Sequence, residues 1–599
     1  MENCMPGLSR ETVAASEAGS GTQLFSDTAL RRLDRMTMAG AVRLSGGLSP
    51  VAASLAALDW AWHLALAPGR RMELALDAAR TGLQLGAFFV EAGRGGKAAP
   101  PYSPPPGDQR FADPSWQDMP FAAFQQAFLA AEAWWMGSTA DVPGIAPHDR
   151  MLVEFLTRQW LDGFSPANFL ATNPVAIEAA RASGGQSLQD GLRHFGEDML
   201  ERLGGPRTFA DDTFAVGRDL AITPGKVVYR NALMELIQYA PATETVKAEP
   251  MLIVPAWIMK YYILDLSPAN SLIRYLVSQG FTVFCISWRN VGAEDAALAF
   301  DDYRRDGVMA ALDAIGKIVP GRKVHAAGYC LGGTLLSLAA AGMAEFGDDR
   351  LASLTLLAAQ TDFSEAGELR VFIDDDQVAS LESVMEGQGF LDAPQMTAAF
   401  QMLRANDLVW SHLVQDYLLG KRSPTIDLMA WNQDTTRMPS RMHSEYLRHF
   451  FLGNDFAAGR MVVEGREVAA QNITAPIFAV GTERDHIAPW RSVYKIHALA
   501  GSPVTFVLTN GGHNAGIVNP PGHPRRHFRH AGRQNQDPLL SADEWLAAAP
   551  LVEGSWWTLW SRWLENSGSA ELSAAPGMGA PAAGLDPLCD APGEYVRQK

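Results

Sequence analysis

Apolar residues recur every three to four positions over residues 47–92, and again from Phe111 to about Arg202 in runs such as PFAAFQQAFLAAEAWWM and MLVEFLTRQWLDGF. That period belongs to helices that bury one face. The glycine- and proline-rich stretch GRGGKAAPPYSPPPGDQR separates the two segments and reads as a linker. The pattern predicts a helical amino-terminal extension plus linker over 1–107, mobile in its Ser/Gly/Ala-rich residues 1 to about 28, and an all-helical domain over 108–220. After Asp219 the period changes, and ITPGKVVYRNALMELIQY alternates as a strand pair does. EPMLIVPAWI, FTVFCISW, KVHAAGY, LASLTLLAA, APIFAVG and SPVTFVLT then read as short apolar strands. SPANSLIRYLVSQG, AFDDYRRDGVMAALDAIGKIV and LGGTLLSLAAAGMA read as the helices between them. This alternation over 221–599 predicts an α/β domain whose mostly parallel sheet is covered on both faces. An aromatic-rich helical insertion, about 362–471, separates two late strands, where it would cover the carboxyl edge of the sheet as a lid. The Ala/Pro/Gly-rich stretch of about 566–599 shows no period and reads as a low-complexity tail.

Composition excludes several functions. With 49 basic against 66 acidic residues the net charge is −17, and no basic stripe interleaved with aromatics points to nucleic acid. The four cysteines, Cys4, Cys285, Cys330 and Cys589, form no CxxC pair and no disulfide scaffold, so a reducing cytoplasmic compartment is expected and no metal or cofactor is called for. His523, His527 and His530 sit among arginines at poor metal spacing and read as a solvated surface. The amino terminus lacks a basic patch followed by an apolar core. The longest uncharged run, Ala326–Ala344, follows a strand and is expected to be a buried helix. Most of the 16 tryptophans are expected to be buried as well.

Gly328-Tyr329-Cys330-Leu331-Gly332 fits the Gly-x-nucleophile-x-Gly elbow, with cysteine as the nucleophile. It lies where KVHAAGY gives way to a helix, the sharp turn in which flanking glycines avoid clashes while the nucleophile takes a strained conformation. Cys285 lacks such glycines and reads as core. On this topology an acid and then a histidine follow the nucleophile in chain order. APIFAVGTERDHIAPW presents Asp485, and SPVTFVLTNGGHNAG ends in Gly511-Gly512-His513. His513 would take the thiol proton, and Asp485 would fix its tautomer. Asp362, one strand earlier, is the alternative acid. The oxyanion needs two backbone donors: the amide of Leu331, and one from the Pro255-Ala256-Trp257-Ile258 loop, with Ile258 preferred.

These residues, with RFADPSWQDMPFAAFQQAFL, EFLTRQWLDGFSPANFLATNP, PAWIMKYYILDLSPANSLIRYLVSQGFTVFCISWRN, GYCLGGTLL, WNQDTTRMPSRMHSEYLR, GTERDHIAPW, GGHNAGIVNPP and GSWWTLW, make the chain resemble the polyhydroxyalkanoate synthases from about residue 108 onward. The tyrosine before Cys330 and the Gly-Gly-Thr after it resemble the single-chain type that acts on short-chain 3-hydroxyacyl-CoA. The first hundred residues show no such likeness. The resemblance implies an α/β-hydrolase domain with a cap, a helical amino-terminal domain, a catalytic trio at Cys330, Asp485 and His513, and a homodimer on the surface of cytoplasmic polyester granules with their associated proteins. It implies transfer of the acyl group to Cys330, release of CoA, and attack on the acyl-cysteine by a 3-hydroxyl group. PAWI departs from the family, several members carrying a second proline or a cysteine there. A thiol-dependent polyester depolymerase would use the same trio, and a granule-coating protein would not need it.

Overall fold

The computed structural model describes residues 27–45, 47–94, 99–105, 107–202, 214–403, 405, 409–422, 424–534 and 536–599. The main sheet is built from β1 (Gly225–Arg230), β2 (Met234–Tyr239), β3 (Met251–Val254), β4 (Val283–Trp288), β5 (Val324–Tyr329), β6 (Leu351–Leu357), β7 (Ile477–Thr482), β8 (Val504–Thr509), β9 (His527–Arg533), β10 (Leu551–Glu553) and β11 (Cys589–Asp590). Their order is β10-β9-β8-β7-β6-β5-β3-β4-β2-β1-β11. Every pairing from β8 to β4 is parallel, and antiparallel strands extend both ends. A parallel sheet buried on both faces needs unbroken apolar runs, and β3, β4 and β5 are buried along their whole length. Side chains alternate between the faces: Leu252, Val254, Ala326, Leu354 and Leu356 join one apolar cluster, and Ile253, Cys285, Ala327, Leu357 and Val480 the other. The α/β-hydrolase fold expected from the sequence is the fold observed, and Cys285 is a fully buried core residue.

Ahead of the sheet the described residues form seven α-helices, α1 (Asp27–Leu44), α2 (Pro50–Leu66), α3 (Pro68–Gly93), α4 (Phe121–Thr139), α5 (Pro147–Gly163), α6 (Pro174–Ala182) and α7 (Gln186–Arg202). Proline opens α2, α3, α5 and α6, where its missing N–H leaves no bond unmade. Across the boundary expected at residue 107 the two helical segments are bonded to each other. Trp60 Nε1 donates to the Ser138 carbonyl (3.0 Å), Arg70 to that of Gly137 (2.6 Å) and Trp134 Nε1 to that of Leu74 (3.0 Å), which joins α2 and α3 to α4 in one helical layer. The stretch expected to be mobile, 1 to about 28, lies outside the described residues up to position 26, and α1 begins at Asp27. No described helix is long and apolar enough to cross a membrane, and Leu331–Glu345 is a buried helix. Among the tryptophans, Trp62 and Trp160 are more than half exposed.

Between β6 and β7 the chain forms a cap of helices, among them Asp375–Glu386, Ala393–Leu403 and Ser440–Tyr446, and a hairpin of Met461–Val463 with Arg466–Val468. Phe363 anchors its aromatic core, with ring centroids 4.8 Å from Phe451, 5.5 Å from Phe450 and 6.1 Å from Tyr446. Two elements depart from the sequence pattern. The helix expected over 299–319 widens into a π-helical stretch at Tyr303–Met309, where a side chain on Gly307 would run into the Trp288 ring at 2.3 Å. The tail from 566 onward, expected to carry no element, is built into the domain. Leu572–Ala574 pairs with Thr245–Lys247, and β11 pairs with β1. The Tyr595 and Glu594 amides donate to the fully buried Glu235 carboxylate at 3.0 Å. All of these partners lie more than 300 residues away, so local periodicity carries no trace of them.

Candidate active site

β5 ends at Tyr329, and the helix Leu331–Glu345 begins one residue after Cys330. Cys330 has φ 52° and ψ −125°, a left-handed conformation that costs a β-carbon-bearing residue about 1–3 kcal/mol. Its N–H donates to the Leu357 carbonyl (2.8 Å) and its carbonyl accepts from the Gly333 amide (2.9 Å), so the turn is held from both sides. The flanking glycines are needed for space. A β-carbon on Gly328 would lie 2.4 Å from the Gly333 Cα, and one on Gly332 would lie 2.3 Å from the Val254 carbonyl oxygen. The contact at Gly332 seats the start of the helix directly on the strand that leads into Pro255–Lys260.

Asp485 follows β7 and His513 follows β8, so both arrive at the carboxyl edge of the parallel strands beside Cys330. His513 Nδ1 is 2.8 Å from Asp485 Oδ2, and both side chains are buried. Asp485 Oδ1 accepts from the amides of Ile487 and Ala488 at 2.9 Å each, and Oδ2 also accepts from Thr482 Oγ1 at 3.1 Å. Burial by itself would raise this carboxylate, but His513 and the two amides outweigh it and hold it below the usual range. For His513 burial works downward, yet the charges of Asp485 and then Cys330, with hydrogen bonds to both, keep the imidazole well above its ordinary value. The ring therefore stands between a carboxylate on one side and the sulfur on the other. Asp362, the alternative acid, binds the Ser364 amide (2.8 Å), with Lys495 at 3.8 Å, and makes no bond to His513.

The structure also brings in residues to which the sequence reading gave no role at the site. The Tyr329 hydroxyl donates to Asn514 Oδ1 (2.6 Å) while its ring packs on His513, centroids 5.5 Å apart, so the residue before Cys330 braces the histidine loop. Asn514, adjoining His513, was the available signal. Tyr446 belongs to the aromatic core of the cap, where burial first, and then the charge of Cys330, push its hydroxyl well above its ordinary value. Among the described residues, no acceptor takes the N–H of Leu331 or of Ile258. None of the described residues forms a cluster of three His, Cys, Asp or Glu suited to a metal ion. His523 is exposed in a loop, and His527 and His530 lie on the outer strand β9.

A buried, polarised histidine between a carboxylate and a cysteine suits the transfer of an acyl group through a thioester. Residues 107–276 match the family model described as poly-beta-hydroxybutyrate polymerase (PhaC) N-terminus, and residues 249–520 match the alpha/beta hydrolase fold. Residues 28–70 match poly-beta-hydroxybutyrate polymerase N terminal, which corrects the expectation that the first hundred residues resemble nothing in the family. The chain is 43% identical over 511 residues to a poly(3-hydroxyalkanoate) polymerase of Methylorubrum extorquens, covering 84% of this chain and 83% of that one. It is 41% identical to poly(3-hydroxyalkanoate) polymerase subunit PhaC of Rhizobium meliloti (strain 1021), over 82% of this chain and 79% of that one. The counterpart in Cupriavidus necator is 38% identical over 82% and 83%. With most of its length aligned to polymerases more than a third identical, the chain belongs to the poly(3-hydroxyalkanoate) polymerase family of acyltransferases.

Proposed function

We propose that the protein polymerises short-chain (R)-3-hydroxyacyl-CoA, such as 3-hydroxybutyryl-CoA, through acyl groups carried on Cys330. The observation that carries this reading is His513 held between Asp485 and Cys330 at a strained elbow. His513 removes the thiol proton, and the Cys330 sulfur attacks the thioester carbonyl. The oxyanion rests on the amides of Leu331 and Ile258. As the C–S bond to CoA breaks, His513 returns the proton to the departing thiolate. The 3-hydroxyl of an incoming 3-hydroxyacyl-CoA then gives its proton to His513 and attacks the acyl-Cys330 carbonyl, which forms one ester and frees the thiol. The lengthened chain, now a CoA thioester, re-acylates Cys330 and releases CoA. One cysteine suffices, which fits the positions of Cys285 in the core and Cys589 on the sheet edge. A thioester keeps the acyl group activated towards an alcohol, whereas a serine ester would transfer with little driving force. The aromatic cap around Phe363 and Tyr446 keeps water from the acyl-enzyme.

The enzyme acts as a homodimer at the surface of cytoplasmic polyester granules, alongside granule-associated proteins. The exposed Leu55, Leu58, Trp62 and Leu66 of α2 and Leu83 of α3 suit an apolar surface of that kind. The test is purified enzyme given 3-hydroxybutyryl-CoA, with free CoA measured and insoluble product weighed. CoA matched by polyester is expected; CoA matched by free 3-hydroxy acid would instead assign a thiol-dependent hydrolase.

A further inference from the structure

Lys260 has 3% of its surface exposed: its ammonium donates to the carbonyls of Gln598 (2.7 Å) and Tyr595 (3.3 Å), and burial, opposed by the nearby charge of Asp434, pulls its titration below the ordinary lysine value. Burying an ammonium costs several kcal/mol, and an apolar side chain of similar volume avoids that cost. The loop around it shows what is gained. Residues 255–260 leave β3 and contain Ile258. At the near end, Trp288 Nε1 holds the Pro255 carbonyl (2.8 Å), and the buried Trp257 ring packs on Tyr303 with centroids 4.6 Å apart. In the middle, the Thr436 amide donates to the Ile258 carbonyl (3.2 Å) and its hydroxyl to that of Trp257. At the far end, Trp431 Nε1 binds the Lys260 carbonyl (2.7 Å) from the cap, while the Lys260 side chain ties the loop to residues 595–598. Those residues are themselves fixed: Tyr595 Oη donates to the Asn231 carbonyl (2.7 Å), and Gln598 Oε1 accepts from the Asn290 amide (3.2 Å). Asn290 Oδ1 in turn accepts from the Arg437 amide (2.9 Å), next to Thr436.

We propose that Lys260 is a positioning residue for acyl transfer: by fastening the 255–260 loop to the Tyr595 and Gln598 carbonyls, it fixes the Ile258 N–H where the oxyanion forms. The inference rests on the function proposed above. An oxyanion donor must be in place before charge develops, so a loop free to shift at one end loses the benefit even with every catalytic side chain present. Lys260 acts through the backbone two residues away and touches no reacting atom.

The experiment compares two reactions of the same sulfur in wild type, Lys260→Met and Lys260→Arg. Alkylation of Cys330 by iodoacetamide forms a C–S bond and expels iodide without passing through an oxyanion. CoA release from 3-hydroxybutyryl-CoA needs one. Lys260→Met should alkylate Cys330 at the wild-type rate, read by peptide mass, yet release CoA about 10²-fold more slowly with little change in KM. Lys260→Arg, which keeps donors for both carbonyls, should restore most of the rate. Lys260→Gln serves the comparison if the methionine variant does not fold. Parallel losses in both reactions, or CoA release by Lys260→Met at the wild-type rate, would overturn the proposal. Alkylated wild type that still releases CoA would instead remove the cysteine mechanism on which the proposal depends.

Discussion

Replacing Asp485 with asparagine keeps its shape and removes its charge, and the neighbours dictate which way the new amide points. Oδ1 accepts two backbone N–H bonds, from Ile487 and Ala488, and only an oxygen satisfies them. The amide nitrogen must then take the place of Oδ2, facing His513 Nδ1 at 2.8 Å. There it donates, so Nδ1 has to accept and the imidazole proton moves to Nε2, on the side of Cys330. Such a histidine has no lone pair with which to take the thiol proton. An enforced tautomer of this kind lowers turnover in hydrolytic triads about 10³–10⁴-fold, or about 4–5.5 kcal/mol of transition-state stabilisation. The folding cost is smaller, about 1.5–3 kcal/mol for a hydrogen bond to a charged group. With the carboxylate gone, burial, already the largest single influence on His513, loses its main opponent, and the titration moves to lower pH. The assay is single-turnover CoA release from 3-hydroxybutyryl-CoA across a pH series, with circular dichroism to verify folding. A folded Asp485→Asn enzyme within tenfold of wild type and with an unchanged pH profile would refute this reasoning.

Asp362→Asn should leave CoA release within about threefold of wild type, because its carboxylate serves Ser364 and Lys495; a loss as large as that of Asp485→Asn would reverse the choice of acid. Gly332→Ala drives a methyl to 2.3 Å from the Val254 carbonyl and should destabilise by about 1–3 kcal/mol in denaturant unfolding while displacing the 255–260 loop; an unaltered midpoint and rate would contradict that packing. The Asp485–His513 pair also makes stability depend on pH. Asp485 titrates below its unfolded value of about 3.9, so its contribution exists above that pH and is lost as pH falls through the folded value. His513 titrates above its unfolded value of about 6.5, so its contribution is whole below that pH and is lost as pH rises through the folded value. Against His513→Gln, wild type should therefore lose relative stability from pH 6.5 to 9, and a relative gain over that range would oppose the assignment.

How much of this was legible in sequence depends on how local each signal is. The parallel strands announce themselves because both of their faces are buried, which produces runs such as MLIV and VFCISW. Cys330, Asp485 and His513 were reachable because each sits at the end of such a strand, in the chain order the topology requires. Asp485 and Asp362 both follow strands; the sequence already favours Asp485, and it is Asp485 that lies 2.8 Å from His513. Lys260 reads as an ordinary loop lysine until residues 595–598 close over it. Tyr446 feels the charge of Cys330 only because the cap folds back across the sheet, and the tail escaped notice because its partners are the distant Glu235 and β1. The π-helical stretch at Tyr303–Met309 answers to the Trp288 ring, which the local pattern does not register.

The most direct measurement is the mass of each cysteine-containing peptide after the enzyme is mixed with 3-hydroxybutyryl-CoA and quenched in acid during turnover. The cysteine mechanism requires one or more 3-hydroxybutyryl groups on the Cys330 peptide, none on those of Cys285 or Cys589, and no CoA release by Cys330→Ala. An unmodified Cys330 in an enzyme that is turning over, or sustained CoA release by Cys330→Ala, would contradict it.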